Sequence, residues 1–256
     1  DNLKPTISLD NIKKKISKKT RVIMPVHLYG SVVNISDIKK LVKRKNIVII
    51  DDCSQAHGAS YKTQRVGSLA DISCFSLYPG KNLGAYGDAG IITTNNKNFY
   101  KKIKNFRNLG SDKKFIHTQI GFNSRLDTLQ ASILNSKLKL LNAYNNKRRI
   151  IAKKYNKLIK NRKIIKLTYS PGAVYHQYVI MINNRNALIK KLDKSKIQYG
   201  LHYPKSINQL AALKKIYSNQ SFPNAEKLAK KCISLPIDPT LNSNEINKIV
   251  KVLNSF

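Results

Sequence analysis

The sequence predicts an α/β fold: a parallel sheet within residues 1–150, then a smaller α+β part over residues 151–256. Two observations predict it. A helical pattern of Ile35, Ile38, Leu41 and Val42 lies between two short apolar runs, Arg21 to Val26 and Ile47 to Ile50. A strand, a helix and a second strand in that space form a unit that joins parallel strands. Past about residue 150 the pattern changes to an alternating strand and short amphipathic helices.

Each element has its own reason. Arg21 to Val26 reads as a short buried strand. Asn34 or Ser36 can cap the helix that follows, because each offers a side-chain oxygen to the free N–H groups of a first turn. Ile47-Val48-Ile49-Ile50 is a continuous β-branched run, expected of a strand covered on both faces. Two more short strands are expected near Asp71 to Ser76 and Ala89 to Thr94, with a glycine-rich loop, Pro79 to Gly90, between them. From about Asn123 the pattern is helical, with Leu126, Leu129, Ile133 and Leu134 on one face, and it runs with interruptions to about Lys160. Tyr175 to Ile182 alternates like a half-buried strand. Asn186 to Lys194 is a short amphipathic helix. The last helix carries Ile246, Ile249, Val250 and Leu253, and Asn242 and Glu245 stand as a capping pair. No internal repeat and no low-complexity linker interrupts this order.

Composition narrows the function classes. Of 256 residues 41% are hydrophobic, enough for a sizeable core in one large domain or two smaller ones. Only 8 prolines and 11 glycines argue against a fibrous or disordered chain. No apolar run is long enough to span a bilayer, and no signal peptide opens the chain. It opens on Asp1 rather than Met, so processing or a longer parent is expected. Cys53, Cys74 and Cys232 stand far apart with no paired spacing. That disfavours a disulfide scaffold and a metal module and predicts a reducing cytoplasm. The net charge is +35, which raises nucleic acid or another anionic surface as a partner. The lysines are spread through almost every segment at helix-surface spacing, however, and Lys, Asn and Ile are jointly abundant, as A/T-rich coding produces. The expected reading is a solvated lysine surface without a nucleic-acid or membrane partner, whose field favours a phosphorylated small substrate.

In open parallel sheets, ligands bind at the carboxyl ends of strands. Three polar groups fall there: Asp51-Asp52 after the second strand, Ser76 after the third and His27 after the first. Lys81 then follows a strand and a Pro-Gly turn. Nucleophilic lysine chemistry needs an amine that can be neutral. A lysine on a tight rim loop, with a hydroxyl and a carboxylate near it, suits a Schiff base with pyridoxal phosphate. That cofactor needs an acid at its ring nitrogen to act as an electron sink.

Three stretches carry a resemblance. Asp51 to Ala59 (DDCSQAHGA), Phe75 to Gly90 (FSLYPGKNLGAYGDAG) and Gly121 to Asp127 (GFNSRLD) are similar to the DegT/DnrJ/EryC1/StrS family. These are pyridoxal-phosphate-dependent nucleotide-sugar aminotransferases of the aspartate-aminotransferase fold, that is, type I. Pro25 to Gly30, His202-Tyr203-Pro204 and Leu235-Pro236-Ile237 match the same family, so the likeness runs along nearly the whole chain. It implies an incomplete large cofactor-binding domain over residues 1–150 and a small C-terminal domain over 151–256. It implies that Lys81 carries the cofactor and moves a proton between cofactor and sugar carbon. Asp52 is expected to pair with the ring nitrogen, Gln55 to lie against the ring and its 3-oxygen, and Ser76 to bind the phosphate. Asn123 is expected to reach the cofactor phosphate of a neighbouring subunit, in a homodimer with shared sites. Arg125, His202 and Tyr203 resemble contacts to the sugar nucleotide. His27 lies near the site, with a strand-end histidine bonded to backbone as the equal alternative. His117 and His176 receive no role, and Cys53 reads as a small buried filler.

The loop from Gly80 to Asp88 is similar to the branch of the family acting on 3-keto sugars. The resemblance therefore implies amino transfer from glutamate to C3 of a nucleotide-linked keto-6-deoxyhexose. Deoxysugar and lipopolysaccharide O-antigen biosynthesis are the expected settings. The reaction takes two halves, 2-oxoglutarate leaving before the keto sugar takes the amine. Two departures matter. The family carries a Gly/Thr phosphate turn and a ring-stacking aromatic upstream of the point where this sequence starts, which implies a C-terminal fragment or an incomplete product. Asn208 stands where many relatives have histidine. Two alternatives stay open: a sugar dehydratase, against which Lys81 argues because those relatives carry histidine there, and a basic binding or regulatory protein.

Overall fold

The computed structural model describes residues 3–43, 45–217 and 219–256. They form two compact units. One comprises Thr6–Asn145 and Ser170–Val174; the other comprises residues 3–5, Asn146–Tyr169 and Tyr175–Phe256.

The first unit is built on a four-stranded sheet in the order Val22–Ile23, Val48–Asp52, Ile72–Ser76, Gly90–Thr93. The first three strands are parallel, with Val22 opposite Val48 and Asp52 opposite Cys74. The fourth is antiparallel, with Ser76 opposite Gly90. A loop without a helix joins the last two strands, so the chain turns back instead of crossing over. The first strand is shorter than its apolar run. Pro25 has no N–H to give the ladder, yet its carbonyl accepts from the Asp52 N–H at 2.9 Å, and the Asp52 carbonyl accepts from His27 N–H at 3.0 Å.

The helix Ile35–Val42 is capped by Asn34, whose Oδ1 accepts from Asp37 N–H at 3.2 Å. Its buried residues Ile35, Ile38 and Val42 pack with Ile23, Ile49 and Leu69. Each such aliphatic side chain withdrawn from water stabilises the unit by about 1.5–3 kcal/mol. The Val48–Asp52 strand is not covered equally on both faces. Ile49 and Asp51 are buried, whereas Val48, Ile50 and Asp52 are half-buried. The period of two therefore turns Asp51 toward the interior and Asp52 to the other face.

In the second unit an antiparallel sheet runs Cys232–Leu235, Tyr178–Met181, Ile165–Lys166. All four residues of Tyr178–Met181 are buried, in place of the expected half-buried alternation. The helices Arg185–Lys194 and Ser243–Asn254 supply Leu188, Leu192, Ile246, Ile249 and Leu253 to its core, and Ile151 and Tyr155 come from the helix Leu141–Leu158. Buried phenols find acceptors: Tyr155 Oη donates to the Pro236 carbonyl at 2.8 Å and Tyr178 Oη to Asn156 Oδ1 at 2.7 Å. Asn242 and Glu245 form the expected capping box, with reciprocal bonds of 3.0 and 2.8 Å. The long helical stretch resolves into Thr128–Leu138 and Leu141–Leu158. No described helix is long and apolar enough to cross a membrane.

Candidate active site

The carboxyl ends of two neighbouring strands bring the first polar groups together. Asp52 closes one strand and Ser76 the next, two residues past the Asp52–Cys74 pair. Asp52 Oδ1 accepts from Ser54 N–H at 2.9 Å, which starts a tight turn and leaves Oδ2 for another donor. Three residues on, Gln55 is buried, and its Oε1 accepts from Tyr29 N–H at 2.5 Å. That bond fixes the orientation of the amide.

Lys81 reaches this rim on a loop with few degrees of freedom. Its N–H donates to the Tyr78 carbonyl at 2.9 Å, closing a turn over Pro79-Gly80. Leu77, Leu83 and Ala85 are buried with Leu134 and Leu141 and hold the loop down. A Cβ on Gly84 would lie 2.3 Å from the Pro79 carbonyl oxygen, so only glycine fits that crossing. Lys137 Nζ donates to the Gly84 carbonyl at 2.5 Å, and Tyr86 N–H donates to Gln130 Oε1 at 2.8 Å. Partial burial lowers the proton affinity of the Lys81 amine, and the Asp52 carboxylate partly restores it. The result is an amine shifted toward the neutral, nucleophilic form.

His57 lies beneath the rim and was not assigned from the sequence. It is 3% exposed, its ring packs on Phe75 with centroids 5.4 Å apart, and neither ring nitrogen has a well-formed hydrogen bond. Burial lowers its pKa to about 4; the Ser76 main chain opposes this and the Lys81 charge adds to it. Its backbone carbonyl accepts from Asn145 Nδ2 at 2.8 Å. Asn145 was also missed, because its partners lie far away in sequence.

Asp51 is a structural partner. Asp51 and His27 are both wholly buried, with His27 Nε2 3.2 Å from Asp51 Oδ2. His27 Nδ1 accepts from Val33 N–H at 3.0 Å, so the ring proton sits on Nε2 and points at the carboxylate. Cys53 Sγ completes a group of three potential ligand atoms within 4.8 Å of one another. That imidazole offers no lone pair to a metal, since one nitrogen accepts and the other donates. Burial and the neighbouring carboxylates push the Cys53 thiol far up, as befits a filler.

The remaining predicted residues have their own local partners. Asn123 and Arg125 are exposed on the segment after the hairpin Ser111–Lys113/Ile116–His117. Arg125 Nε donates to Asn123 Oδ1 at 3.1 Å, and its Nη1 to Asn108 Oδ1 at 3.4 Å. His202 and Tyr203 belong to the second unit. His202 Nδ1 is 2.8 Å from Ser234 Oγ, and its ring lies where a Cβ on Gly200 would stand. The Tyr203 side chain is exposed. Asn208, in the place of the family's histidine, accepts from Ser206 Oγ at 2.6 Å and donates to Glu226 Oε1 at 2.8 Å on the helix Pro223–Lys231.

Comparisons with known proteins follow the same lines. A profile of the DegT/DnrJ/EryC1/StrS aminotransferase family matches residues 1–254. The dTDP-3-amino-3,6-dideoxy-alpha-D-galactopyranose transaminase of Aneurinibacillus thermoaerophilus is 40% identical over 255 residues, 98% of this chain and 70% of that protein. The UDP-N-acetyl-3-dehydro-alpha-D-glucosamine 3-aminotransferase of Acidithiobacillus ferrooxidans is 36% identical over 253 residues, 96% of this chain and 67% of that protein. The solved structure of S. venezuelae DesV superposes with a TM-score of 0.96 at 32% identity, covering 100% of this chain and 70% of that one.

Proposed function

The chain belongs to the DegT/DnrJ/EryC1/StrS aminotransferase family and is a pyridoxal-phosphate-dependent aminotransferase; from that premise we propose that it moves the amino group of glutamate to C3 of a nucleotide-linked keto-6-deoxyhexose. The observation that carries the reading is the meeting of Asp52 and Ser76 at one sheet rim with a Lys81 amine shifted toward neutrality. The choice of C3 is supported by relatives whose names are 3-amino-sugar transaminases.

The donor set fits the cofactor: a carboxylate with one oxygen to spare, a hydroxyl at the next strand end, and a primary amine. When bound, pyridoxal phosphate supplies an aldehyde carbon to carry the amino group and a ring that absorbs negative charge from the carbon losing its proton. Asp52 would hold the ring nitrogen's proton in place, Ser76 would donate to the phosphate, and Gln55 would lie against the ring. Lys81, whose ammonium form burial disfavours, would take the proton from the amino-acid carbon in the first half-reaction and deliver one to the sugar carbon in the second. Water exposure would raise its proton affinity and slow the first of these steps.

The same reading assigns Arg125, His202 and Tyr203 to the sugar nucleotide. It makes the working unit a homodimer in which Asn123 serves the partner's site. The exposure of Asn123 and Arg125, and their mutual hydrogen bond, support that role. A cytoplasmic setting follows from the substrates and is supported by three free cysteines. Incubation with glutamate and a dTDP-linked 3-keto-6-deoxyhexose is expected to yield 2-oxoglutarate and the 3-amino sugar in equal amounts. A deoxygenated sugar, with no 2-oxoglutarate formed, would overturn the reading.

A further inference from the structure

Two segments far apart in sequence carry the reactive groups: Asp52 to Gly58 with the acid and the glutamine, and Tyr78 to Tyr86 with the lysine. One side chain joins them. Asn145, 1% exposed, donates from Nδ2 to the His57 carbonyl at 2.8 Å and accepts at Oδ1 from Asn82 Nδ2 at 2.9 Å. Asn82 is the residue next to Lys81, and its Nδ2 also lies 3.3 Å from the Val174 carbonyl. The surroundings are shaped to admit this bridge. Gly58 has φ +76°, and a Cβ there would meet Asn145 Nδ2 at 2.8 Å. The bond to the His57 carbonyl is buried and that to Asn82 partly so, and losing either leaves a polar atom of the buried Asn145 amide unmatched.

We propose that Asn145 is a positioning residue that fixes Lys81 relative to Asp52 by joining the two segments that bear them. It does not touch the reacting atoms. It acts through Asn82 on one side and through the His57 backbone on the other. The proposal rests on the reading of Lys81 as the reactive amine.

The burial of Lys81 is set by where its loop lies, so loosening the loop changes how readily the amine loses its proton. The charged group acting on it is Asp52, which favours the ammonium; the His57 ring beneath feels the Lys81 charge in turn. Burial is the larger influence on Lys81, so a released loop returns the amine toward ordinary lysine behaviour.

The test is competitive acetylation of the cofactor-free chain across pH, read lysine by lysine by mass spectrometry. The pH midpoint reports proton affinity, and the plateau separately reports access. In the native chain Lys81 is expected to titrate below the pooled lysines. In Asn145→Ala its midpoint should rise, so that labelling at pH 8, scaled to the plateau, falls about threefold or more. Asn82→Ala should do the same, and the double variant should do little more than the larger single change. Asn82 is only half-buried, so this variant decides the matter if Asn145→Ala does not fold. An unchanged Lys81 midpoint in the folded variants would overturn the positioning role while leaving Lys81 as the reactive amine. A native Lys81 that titrates with the surface lysines would overturn the reading of Lys81 and the proposal with it.

Discussion

His57 is buried as a neutral ring, and that has a consequence in acid. Its pKa in the folded chain is about 4, against 6.5 for an exposed histidine. Between these values the unfolded chain binds the extra proton and the folded chain does not. The contribution of His57 to stability is therefore fully present above pH 6.5 and is lost as pH falls toward 4, by about 3 kcal/mol. His57→Phe removes this titration. Its thermal midpoint is expected to fall less than the native one between pH 6.5 and 4.5, and parallel profiles would contradict the account. The adjacent acids teach a related lesson. Asp51 and Asp52 are equivalent in composition, and the pleat of one strand separates them. Asp51 meets His27 in the interior, and Asp52 is left half-buried at the rim. Alternation along the strand is legible in sequence once the buried face is known. The likeness to known motifs implies Asp52 as the site acid, and the burial pattern is compatible with that reading.

At the scale of elements, the Lys81 loop is the part with the least tolerance. A Cβ on Gly84 would stand only 2.3 Å from the Pro79 carbonyl oxygen, which leaves no room for any larger residue. Gly84→Ala is expected to force the loop open, cutting amino transfer by about tenfold or more while the cooperative unfolding of the second unit persists. Native activity in Gly84→Ala would contradict this. Much of the element order was readable beforehand: the Asn34 cap, the β-branched strand and the Asn242–Glu245 box all rest on local rules. What was not readable depends on distant packing. The antiparallel direction of Gly90–Thr93 is set by the lack of a crossover helix, which a β-branched run does not announce. Full burial of Tyr178–Met181 comes from helices on both sides in sequence. Asn145 looked like one polar residue among many on a helix, because its partners stand 63 and 88 positions away.

For the whole molecule, charge and likeness point in different directions. A net charge of +35 repels itself and destabilises the compact state at low ionic strength. Adding sodium chloride from near zero to about 0.15 M, where the screening length is about 8 Å, is expected to raise the melting temperature. A falling melting temperature would show that specific ion pairs outweigh the general repulsion. Surface pairs such as Lys13–Asp10 and Lys40–Asp37 are exposed, and exposed pairs contribute little.

The central claim is that Lys81 is the amine that holds pyridoxal phosphate. Borohydride reduction of the chain in the presence of that cofactor, followed by peptide mass mapping, tests it most directly. One modified residue, Lys81, is expected, and none in Lys81→Ala. Label scattered over many lysines, and unchanged by Lys81→Ala, would contradict it.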